Sequence, residues 1–329
     1  MATKLIAMYN LYKGGSKTIY NNICSEISKN KNVYQLTSHE VVGGTHSIKY
    51  PIKRLNKFYR VYLDHIYTAI LGRQLNVDHL IVMGNFPCIF WLKQQTCYFH
   101  NTLYLDHTTR SITHQIEVFL FKLAHLLKPK TKIFVQTEVV RQRLLKAIKN
   151  KNIEVCPLFT ITPLNLADRN IHKSNEQLTF FYPASLYEHK NHTFLVNVFR
   201  KLPAHTLILT LPPKAINVSN NVKLIGEVIH EIAMKQMCEA DAMIFPSLTE
   251  SLGLPLLEAV ANQVPIIAPD LDYVNAVIED YYAFDPTDPK CLLEAISIFE
   301  TDRQNKSVKL PRSKIKCDTS AFVKALING

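Results

Sequence analysis

The chain has 329 residues, a length that predicts two domains rather than one. Hydrophobic residues make up 47% and charged residues 20%, which excludes a disordered chain, and glycine and proline are too few for a collagen-like or linker protein. The charge is uneven: residues 1–165 hold 22 Lys+Arg and 8 Asp+Glu, a net +14, whereas residues 166–329 hold 16 and 19, a net −3. We therefore expect only the first half to face an anionic partner.

The sequence contains no stretch of roughly 18 uninterrupted apolar residues, the minimum for a membrane span. The apolar run at residues 5–8 is too short for a signal peptide. Seven scattered cysteines form no Cys-x-x-Cys pair, a pattern typical of reduced thiols. These features predict a cytoplasmic protein.

Short apolar runs alternate with longer helical stretches along the first half. Strands are predicted at residues 5–8, 33–36, 79–83, 96–99, 132–135 and 153–155. Helices are predicted over residues 16–29, 50–72, 110–127 and 138–149. Such alternation is typical of a parallel sheet covered by helices on both faces.

Residues 157–177 interrupt this pattern with prolines, asparagines and aspartates, and they predict a domain boundary. The alternation then restarts. Strands are predicted at residues 178–182, 205–209, 222–225, 242–245 and 265–268, and helices at 190–202, 230–239, 253–262 and 287–300. The predicted fold class is α/β, with two doubly wound, Rossmann-like domains at residues 1–165 and 166–315 facing a central cleft.

The segment from residue 241 to 268 is the most informative one. A buried strand is followed by a polar turn, and a helix begins near Gly253, with Pro255 in a first turn where proline is tolerated. Backbone N–H groups at a helix start attract phosphate or sugar oxygens, and glycine lets such a ligand approach closely. Glu250 in the turn and Glu258 in the helix can both enter one pocket. Glutamates near a helix start also stabilise the helix without any ligand.

Glu250 and Glu258 are separated by seven residues, with Gly-Leu-Pro at 253–255 and Leu-Glu-Ala at 257–259. This segment resembles the paired-glutamate motif of the retaining nucleotide-sugar glycosyltransferases called glycosyl transferases group 1, or family 4. The resemblance covers most of residues 178–300. It implies a GT-B fold, with residues 316–329 packing back on the first domain as a helix.

The resemblance also implies the reaction. A hexose-type sugar would pass from a nucleotide diphosphate sugar to an acceptor hydroxyl, with retention of configuration, without a metal and without a cofactor beyond the donor substrate. Glu258 would hold the donor ribose hydroxyls, Glu250 would act at the donor sugar, and the amides of Leu252, Gly253 and Leu254 would receive the sugar and diphosphate. A carboxylate accepts two hydroxyl protons at once, which suits a vicinal diol.

A second matching segment is residues 180–192, FFYPASLYEHKNH. Lys190 matches the lysine that family members direct at the donor diphosphate. The family's arginine is replaced by Ser185, which donates one hydrogen bond but carries no charge. A protonated His189 would partly compensate. His189 and His192 have no third ligand nearby in sequence, so we predict no metal site there.

The resemblance assigns four more positions. Gly226 would line the base pocket. Gly14 and Gly15 occupy the place of a glycine-rich turn after the first strand, and they would also let a phosphate approach a helix start. His100 matches a catalytic histidine aimed at the donor sugar, and His107 is the competing candidate.

Asp270-Leu271-Asp272 matches the Asp-x-Asp of metal-dependent glycosyltransferases that have a different fold. Here it follows a predicted strand of the second domain, so we predict a turn and a helix cap rather than a metal site. Thr137 is predicted to be the N-cap of the helix at 138–149.

Basic and aromatic residues are mixed over residues 47–73, and four lysines follow at 122–132. This mixture suits an anionic membrane surface, and it would also suit nucleic acid. Related enzymes approach membrane-borne lipid acceptors with the first domain. We therefore expect peripheral contact with the inner face of the cell membrane, a lipid-linked saccharide of lipopolysaccharide O-antigen or capsule as acceptor, and no nucleic-acid partner.

Three other functions are compatible with these residues. A nucleotide-sugar epimerase on the same fold would convert the donor without an acceptor. A non-catalytic basic module would bind nucleic acid, with an affinity that falls steeply with salt. An inactive scaffold would tolerate Ser185, although both glutamates are retained.

Overall fold

The computed structural model describes residues 2–8, 23–24, 27, 32–37, 46–49, 62–105, 112–159, 161, 163–164, 177–317 and 319–328. The chain forms two compact units. The first unit is Met1–Thr160 together with Lys316–Gly329, and the second unit is Ile161–Ile315.

The first unit contains a seven-stranded sheet in which every pairing is parallel. Its strands are β1 (Lys4–Ala7), β2 (Val33–Thr37), β3 (Ser47–Lys49), β4 (His79–Val82), β5 (Gln94–Phe99), β6 (Lys132–Val135) and β7 (Ile153–Val155). Their order is β3-β2-β1-β4-β5-β6-β7, so the winding direction reverses between β1 and β4. Parallel strands require crossover connections, which explains the alternation of strands and helices in the sequence.

Helices cover this sheet on both faces. A π-helical turn at Leu63–Tyr67 leads into α1 (Thr68–Gln74), and α2 (Ile112–Leu127), α3 (Glu138–Ala147) and the C-terminal α9 (Thr319–Asn328) follow. Successive residues of β1 belong to different core clusters, Leu5 to one and Ile6 to another, because successive side chains of a strand point to opposite faces. Phe322 of α9 packs edge-on against Tyr98 within one of these clusters.

The second unit repeats this design with six parallel strands. They are β8 (Thr179–Tyr182), β9 (Thr206–Leu209), β10 (Val222–Leu224), β11 (Ala242–Ile244), β12 (Ile266–Pro269) and β14 (Tyr282–Phe284), in the order β10-β9-β8-β11-β12-β14. Two short strands, β13 (Ile278–Glu279) and β15 (Arg312–Ser313), form a separate antiparallel pair. The helices are α4 (His192–Phe199), α5 (His230–Glu239), α6 (Leu254–Ala261), α7 (Asp272–Asn275) and α8 (Pro289–Gln304).

Most predicted elements are present with ends shifted by one to three residues. The predictions at residues 132–135, 153–155 and 230–239 have the observed bounds. Thr137 is the N-cap of α3, and its hydroxyl accepts a hydrogen bond from the Val140 N–H at 3.3 Å, as predicted. The sequence analysis missed β3, β13, β14 and β15, which are two or three residues long and too short for a periodic pattern. The predicted helix at 16–29 lies largely outside the described residues.

No helix among the described residues is both long enough and apolar enough to cross a bilayer.

Each unit contains a parallel α/β sheet, and each of these sheets has one position where the strand order reverses. In open sheets of this kind, ligands bind beyond the carboxyl ends of the strands at such a position.

Candidate functional site

The strand order of the second unit reverses between β8 and β11, which are hydrogen-bonded neighbours. The loop after β8 carries Lys190, and the loop after β11 carries Glu250. Because both strands are parallel, both loops leave the same edge of the sheet. Two segments that the sequence analysis selected separately therefore meet at this edge.

Lys190 and Glu250 form an ion pair, with Lys190 Nζ 2.5 Å from Glu250 Oε1. The two side chains are only 17% and 15% exposed. Lys190 Nζ also lies 5.8 Å from the centroid of the Phe245 ring. The pair places a positive and a negative charge side by side in a partly desolvated position, where electrostatic interactions are stronger than in water.

Tyr182, at the end of β8, joins the two loops. Its buried hydroxyl donates to the Lys190 carbonyl at 3.1 Å and shares a hydrogen bond with Ser247 Oγ at 2.9 Å. The Tyr273 hydroxyl donates to the Ser247 carbonyl at 2.5 Å. The Leu248 N–H also donates to the carbonyl of the residue before Lys190, at 2.8 Å. These bonds fix the backbone on both sides of the ion pair.

The phenols of Tyr182 and Tyr273 and the imidazole of His192 remain neutral. Burial, reinforced by the negative charge of Glu250, raises the pKa of Tyr182 and that of Tyr273 well above the ordinary value. Burial, with a smaller effect of Lys190, lowers the pKa of His192 to about 4. His192 packs against the Tyr182 ring at a centroid distance of 5.0 Å. Formal charge in this part of the site therefore lies on the Lys190–Glu250 pair and not on the two phenols or on His192.

Helix α6 begins at Gly253, its N-cap, with φ of 67° and ψ of 58°. This left-handed conformation favours glycine, and a Cβ added there would lie 3.0 Å from Leu256 Cδ1. Pro255 stands in the first turn. Leu252 is buried and Leu254 is half-buried. The first N–H groups of a helix have no partner within the helix, so this start can receive an anionic ligand.

Glu258 lies on α6 and is 14% exposed. Its Oε1 atom is 2.7 Å from Nε2 of His230, the first residue of α5. His230 is 56% exposed, and the hydrogen bond to Glu258 raises its pKa. The sequence analysis did not select His230, because a histidine 28 residues from its partner leaves no local signal.

Two other predicted residues lie on loops of the second unit. Ser185 is exposed, and its carbonyl accepts a hydrogen bond from the Tyr187 N–H at 3.0 Å. Gly226 follows β10 with φ of 83°, and an added Cβ would meet nothing within 4 Å. The space beside Gly226 is therefore open.

His100 belongs to the first unit, directly after β5. Its ring stacks on Tyr98 at a centroid distance of 5.9 Å, and its backbone N–H donates to Asn85 Oδ1 at 2.8 Å. Gly14, Gly15 and His107 lie outside the described residues.

Asp270 and Asp272 form a turn and a short helix. Asp270 Oδ1 accepts a hydrogen bond from Asn275 Nδ2 at 2.8 Å. The predicted helix cap is wrong in detail, since Leu271 is the N-cap position and Asp272 is the first residue of α7. Among the described residues, no three His, Cys, Asp or Glu side chains are grouped as metal ligands.

Comparison with known proteins connects this site to a family. Residues 165–315 match the family Glycosyl transferases group 1. A curated relative, the O-antigen chain mannosyltransferase RfbU of Salmonella typhimurium (strain LT2), is 22% identical over 244 residues, 67% of each chain.

Solved structures show the fold over nearly the whole chain. WaaG, a glycosyltransferase involved in lipopolysaccharide biosynthesis, superposes with a TM-score of 0.69 at 12% identity, covering 99% of this chain and 100% of that one. Anabaena HepE, solved in complex with UDP and glucose, gives a TM-score of 0.67 at 13% identity and covers 100% and 97%. The loops of Lys190 and Glu250, helix α6 and Glu258 all lie within residues 165–315. Residues 165–315 therefore match a glycosyl transferases group 1 domain, and the chain has the GT-B fold of these solved structures.

Proposed function

We propose that the protein transfers a hexose from a nucleoside diphosphate sugar to an acceptor hydroxyl on a lipid-linked saccharide of lipopolysaccharide O-antigen or capsule. The observation that carries the proposal is the pairing of the two motif glutamates with basic side chains of the second unit, Glu250 with Lys190 and Glu258 with His230. The names of RfbU and WaaG support the choice of pathway. Retention of configuration and independence of a metal are part of the proposal, by resemblance to the family.

The two carboxylates have different roles in this proposal. Glu258 receives the ribose hydroxyls of the donor, and Glu250 receives hydroxyls of the transferred sugar, since each carboxylate accepts two hydroxyl protons. Gly226 lines the base pocket on the neighbouring loop. By resemblance to the family, His100 is assigned to the donor sugar and the glycines at 14 and 15 to donor binding.

Lys190 and the start of α6 stabilise the leaving group. The bond from the anomeric carbon to the diphosphate breaks, the acceptor oxygen bonds to that carbon, and the acceptor proton leaves with the diphosphate. Negative charge grows on the diphosphate during this step. In this proposal Lys190 Nζ and the amides of Leu252, Gly253 and Leu254 stabilise that charge electrostatically. Ser185 adds a hydroxyl donor but no charge.

We further propose that the first unit binds an anionic bilayer peripherally, on the cytoplasmic side. Helix α2 has apolar residues on the face that packs against the core and also on the opposite face. Its outer ridge, which we define as Ile112, Ile116, Phe119 and Leu126, is exposed, and Phe119 is 64% exposed. An exposed apolar ridge of this kind marks an interaction surface.

A neighbouring loop continues this surface. Leu92 is 82% exposed, and Phe90 beside it is also exposed. The Lys128 ammonium donates to the Trp91 carbonyl at 2.6 Å, and Arg73 donates to the Phe90 carbonyl at 3.0 Å, so basic side chains hold the loop beside the end of α2. Apolar tips framed by lysine and arginine suit the headgroup boundary of an anionic membrane.

Thermal-shift measurements with UDP, GDP, ADP and their sugars test the donor site. A ligand that binds the folded protein stabilises it by about 2.7 kcal/mol at a hundredfold excess over its Kd. We expect one nucleotide class to raise the Tm of the wild type and of Glu239→Ala, an exposed control on α5, and to leave the Tm of Glu258→Ala unchanged. Absence of any shift in folded wild-type protein would contradict the donor-site assignment.

Vesicle co-sedimentation tests the membrane surface. We expect binding to vesicles of phosphatidylglycerol and phosphatidylcholine that weakens with salt, because exposed charges are screened. Phe119→Ser combined with Leu92→Ser should bind less, and Ile298→Ser, at an exposed position on α8 in the second unit, should bind like the wild type. Equal binding by all three proteins would refute this surface.

A further inference from the structure

His230 and Glu258 form an asymmetric pair. The carboxylate lies on α6 and is largely buried, whereas the imidazole begins α5 and stands mostly in solvent. Only one hydrogen bond, of 2.7 Å from Nε2 to Oε1, connects them. Another hydrogen-bond donor can therefore replace the exposed His230 as the partner of Glu258 more easily than another acceptor can replace the largely buried carboxylate.

We propose that His230 is a latch on the ribose site: it holds the Glu258 carboxylate in the nucleotide-free protein and is displaced by the ribose hydroxyls when the donor binds. This inference rests on the proposed function, because it takes Glu258 as the ribose ligand. It adds a residue that controls donor affinity and a dependence of that affinity on proton concentration.

A carboxylate that is largely buried and has no partner is costly, so the nucleotide-free protein needs a donor for Glu258. A vicinal diol supplies two hydroxyl donors to the same carboxylate. One of its oxygens already accepts from His230, and in this proposal a ribose hydroxyl takes the position that His230 occupies. The exposed imidazole then regains water at little cost.

The charges around the ring determine the sign of the effect. The hydrogen bond and charge of Glu258, from α6, and the charge of Glu231, from α5 itself, raise the pKa of His230, while burial opposes them. Displacement from Glu258 moves this pKa back toward the ordinary 6.5. Donor binding must then release a proton at pH values between 6.5 and the raised pKa. By linkage, affinity rises with pH across that window.

Calorimetric titration of UDP and GDP at pH 6.0 to 8.0, in buffers with different protonation enthalpies, measures the number of protons released on binding and the pH dependence of the affinity. We expect proton release on binding of the nucleotide that the wild type accepts, and an affinity that rises several-fold more with pH than in His230→Gln. Glutamine keeps a donor for Glu258 but does not titrate. The second ionisation of the nucleotide phosphate, near pH 6, is common to both proteins and cancels in the comparison.

Two controls isolate the latch. His46→Gln, at an exposed histidine of the first unit, should behave like the wild type. The 2′-deoxy form of the accepted nucleotide lacks the diol and should release no His230-dependent proton. His230→Ala should bind the ribonucleotide at pH 6 more tightly than the wild type, because it lacks the competing partner.

Two results would overturn the latch while the proposed function stands. One is tight ribonucleotide binding with the same pH slope and proton count in the wild type and His230→Gln. The other is loss of binding in His230→Ala, which would make the histidine a support of Glu258 rather than its competitor. Failure of the wild type to bind any nucleotide would overturn both proposals together.

Discussion

Lys190 Nζ lies 2.5 Å from Glu250 Oε1, across two loops that are 60 residues apart in sequence, and both side chains are mostly buried. The pair neutralises two charges that would be unfavourable alone in this position. Its members are also the groups expected to meet the donor diphosphate and the donor sugar. The ion pair is thus formed by the two groups that are proposed to bind substrate.

Removing both members of this pair should cost less stability than the sum of the two single losses. Lys190→Met leaves the Glu250 carboxylate without its cation and should lower the free energy of unfolding by about 2–3 kcal/mol, since the pair is mostly but not fully buried. The double variant Lys190→Met with Glu250→Gln should lose less than the sum of the two single variants. Urea unfolding of the four proteins measures this coupling, and additivity within about 0.5 kcal/mol would contradict it.

Tyr182→Phe should weaken nucleoside diphosphate binding as well as stability. The change removes the hydroxyl that bridges the Lys190 carbonyl and Ser247, at a cost of about 1 kcal/mol, and lets the two loops separate. Tyr282→Phe is the matched control, because its hydroxyl donates to Asp302 at 2.9 Å elsewhere in the same unit. Calorimetry should show weaker binding for the first variant only. Equal affinities would mean that Tyr182 merely stabilises the fold.

Gly253→Ala should be more destabilising than Gly226→Ala. Both glycines have positive φ, so alanine at either position costs about 1–2 kcal/mol. At Gly253 the new Cβ would also press on Leu256 Cδ1 at 3.0 Å, whereas at Gly226 it meets nothing within 4 Å. Thermal unfolding of the two variants should therefore give the lower Tm for Gly253→Ala. The reverse order would be evidence against the described start of α6.

Acid should destabilise the protein through buried histidines. Burial lowers the pKa of His79, His125 and His192 to about 4, whereas the unfolded chain protonates them near 6.5. Stability is therefore complete above pH 6.5 and falls as the pH drops toward 4, because the unfolded state binds more protons. Each such histidine contributes a loss of about 2 kcal/mol between pH 7.5 and pH 5.

His192→Leu tests this effect, since leucine removes the titrating group without leaving a large cavity. The free energy of unfolding should decline less between pH 7.5 and pH 5 in the variant than in the wild type. Urea titrations at the two pH values give this difference directly. Parallel declines in both proteins would mean that His192 does not stay neutral in the folded state.

The strands and helices of the second unit were predictable because their signals are local. A buried parallel strand is a continuous apolar run, and residues 242–245 and 265–268 are visible as such without any knowledge of their partners. The start of α6 was equally visible, since glycine and proline mark it in the sequence. The motif glutamates could be selected because their spacing on one strand–turn–helix segment is itself a sequence feature.

The short edge elements could not be predicted for the same reason. Strands β13 and β15 consist of two residues each and pair Ile278 with Ser313, 35 positions along the chain. Such a short strand has no period, and its existence depends on the segment that happens to lie beside it. The exposed apolar face of α2 could not be predicted either, because a helical pattern alone does not show which face the sheet covers.

By itself the sequence determined the α/β class, a break within residues 157–177, and the identity of the two carboxylates and the lysine that carry the proposed chemistry. Only the tertiary structure decided who their partners are: Glu250 pairs with Lys190, and Glu258 pairs with His230. The physical reason is the strand order. Neighbouring β8 and β11 bring loops 60 residues apart to one sheet edge. Packing of α5 against α6 brings His230 to a carboxylate 28 residues away. Local periodicity in the sequence predicts neither contact.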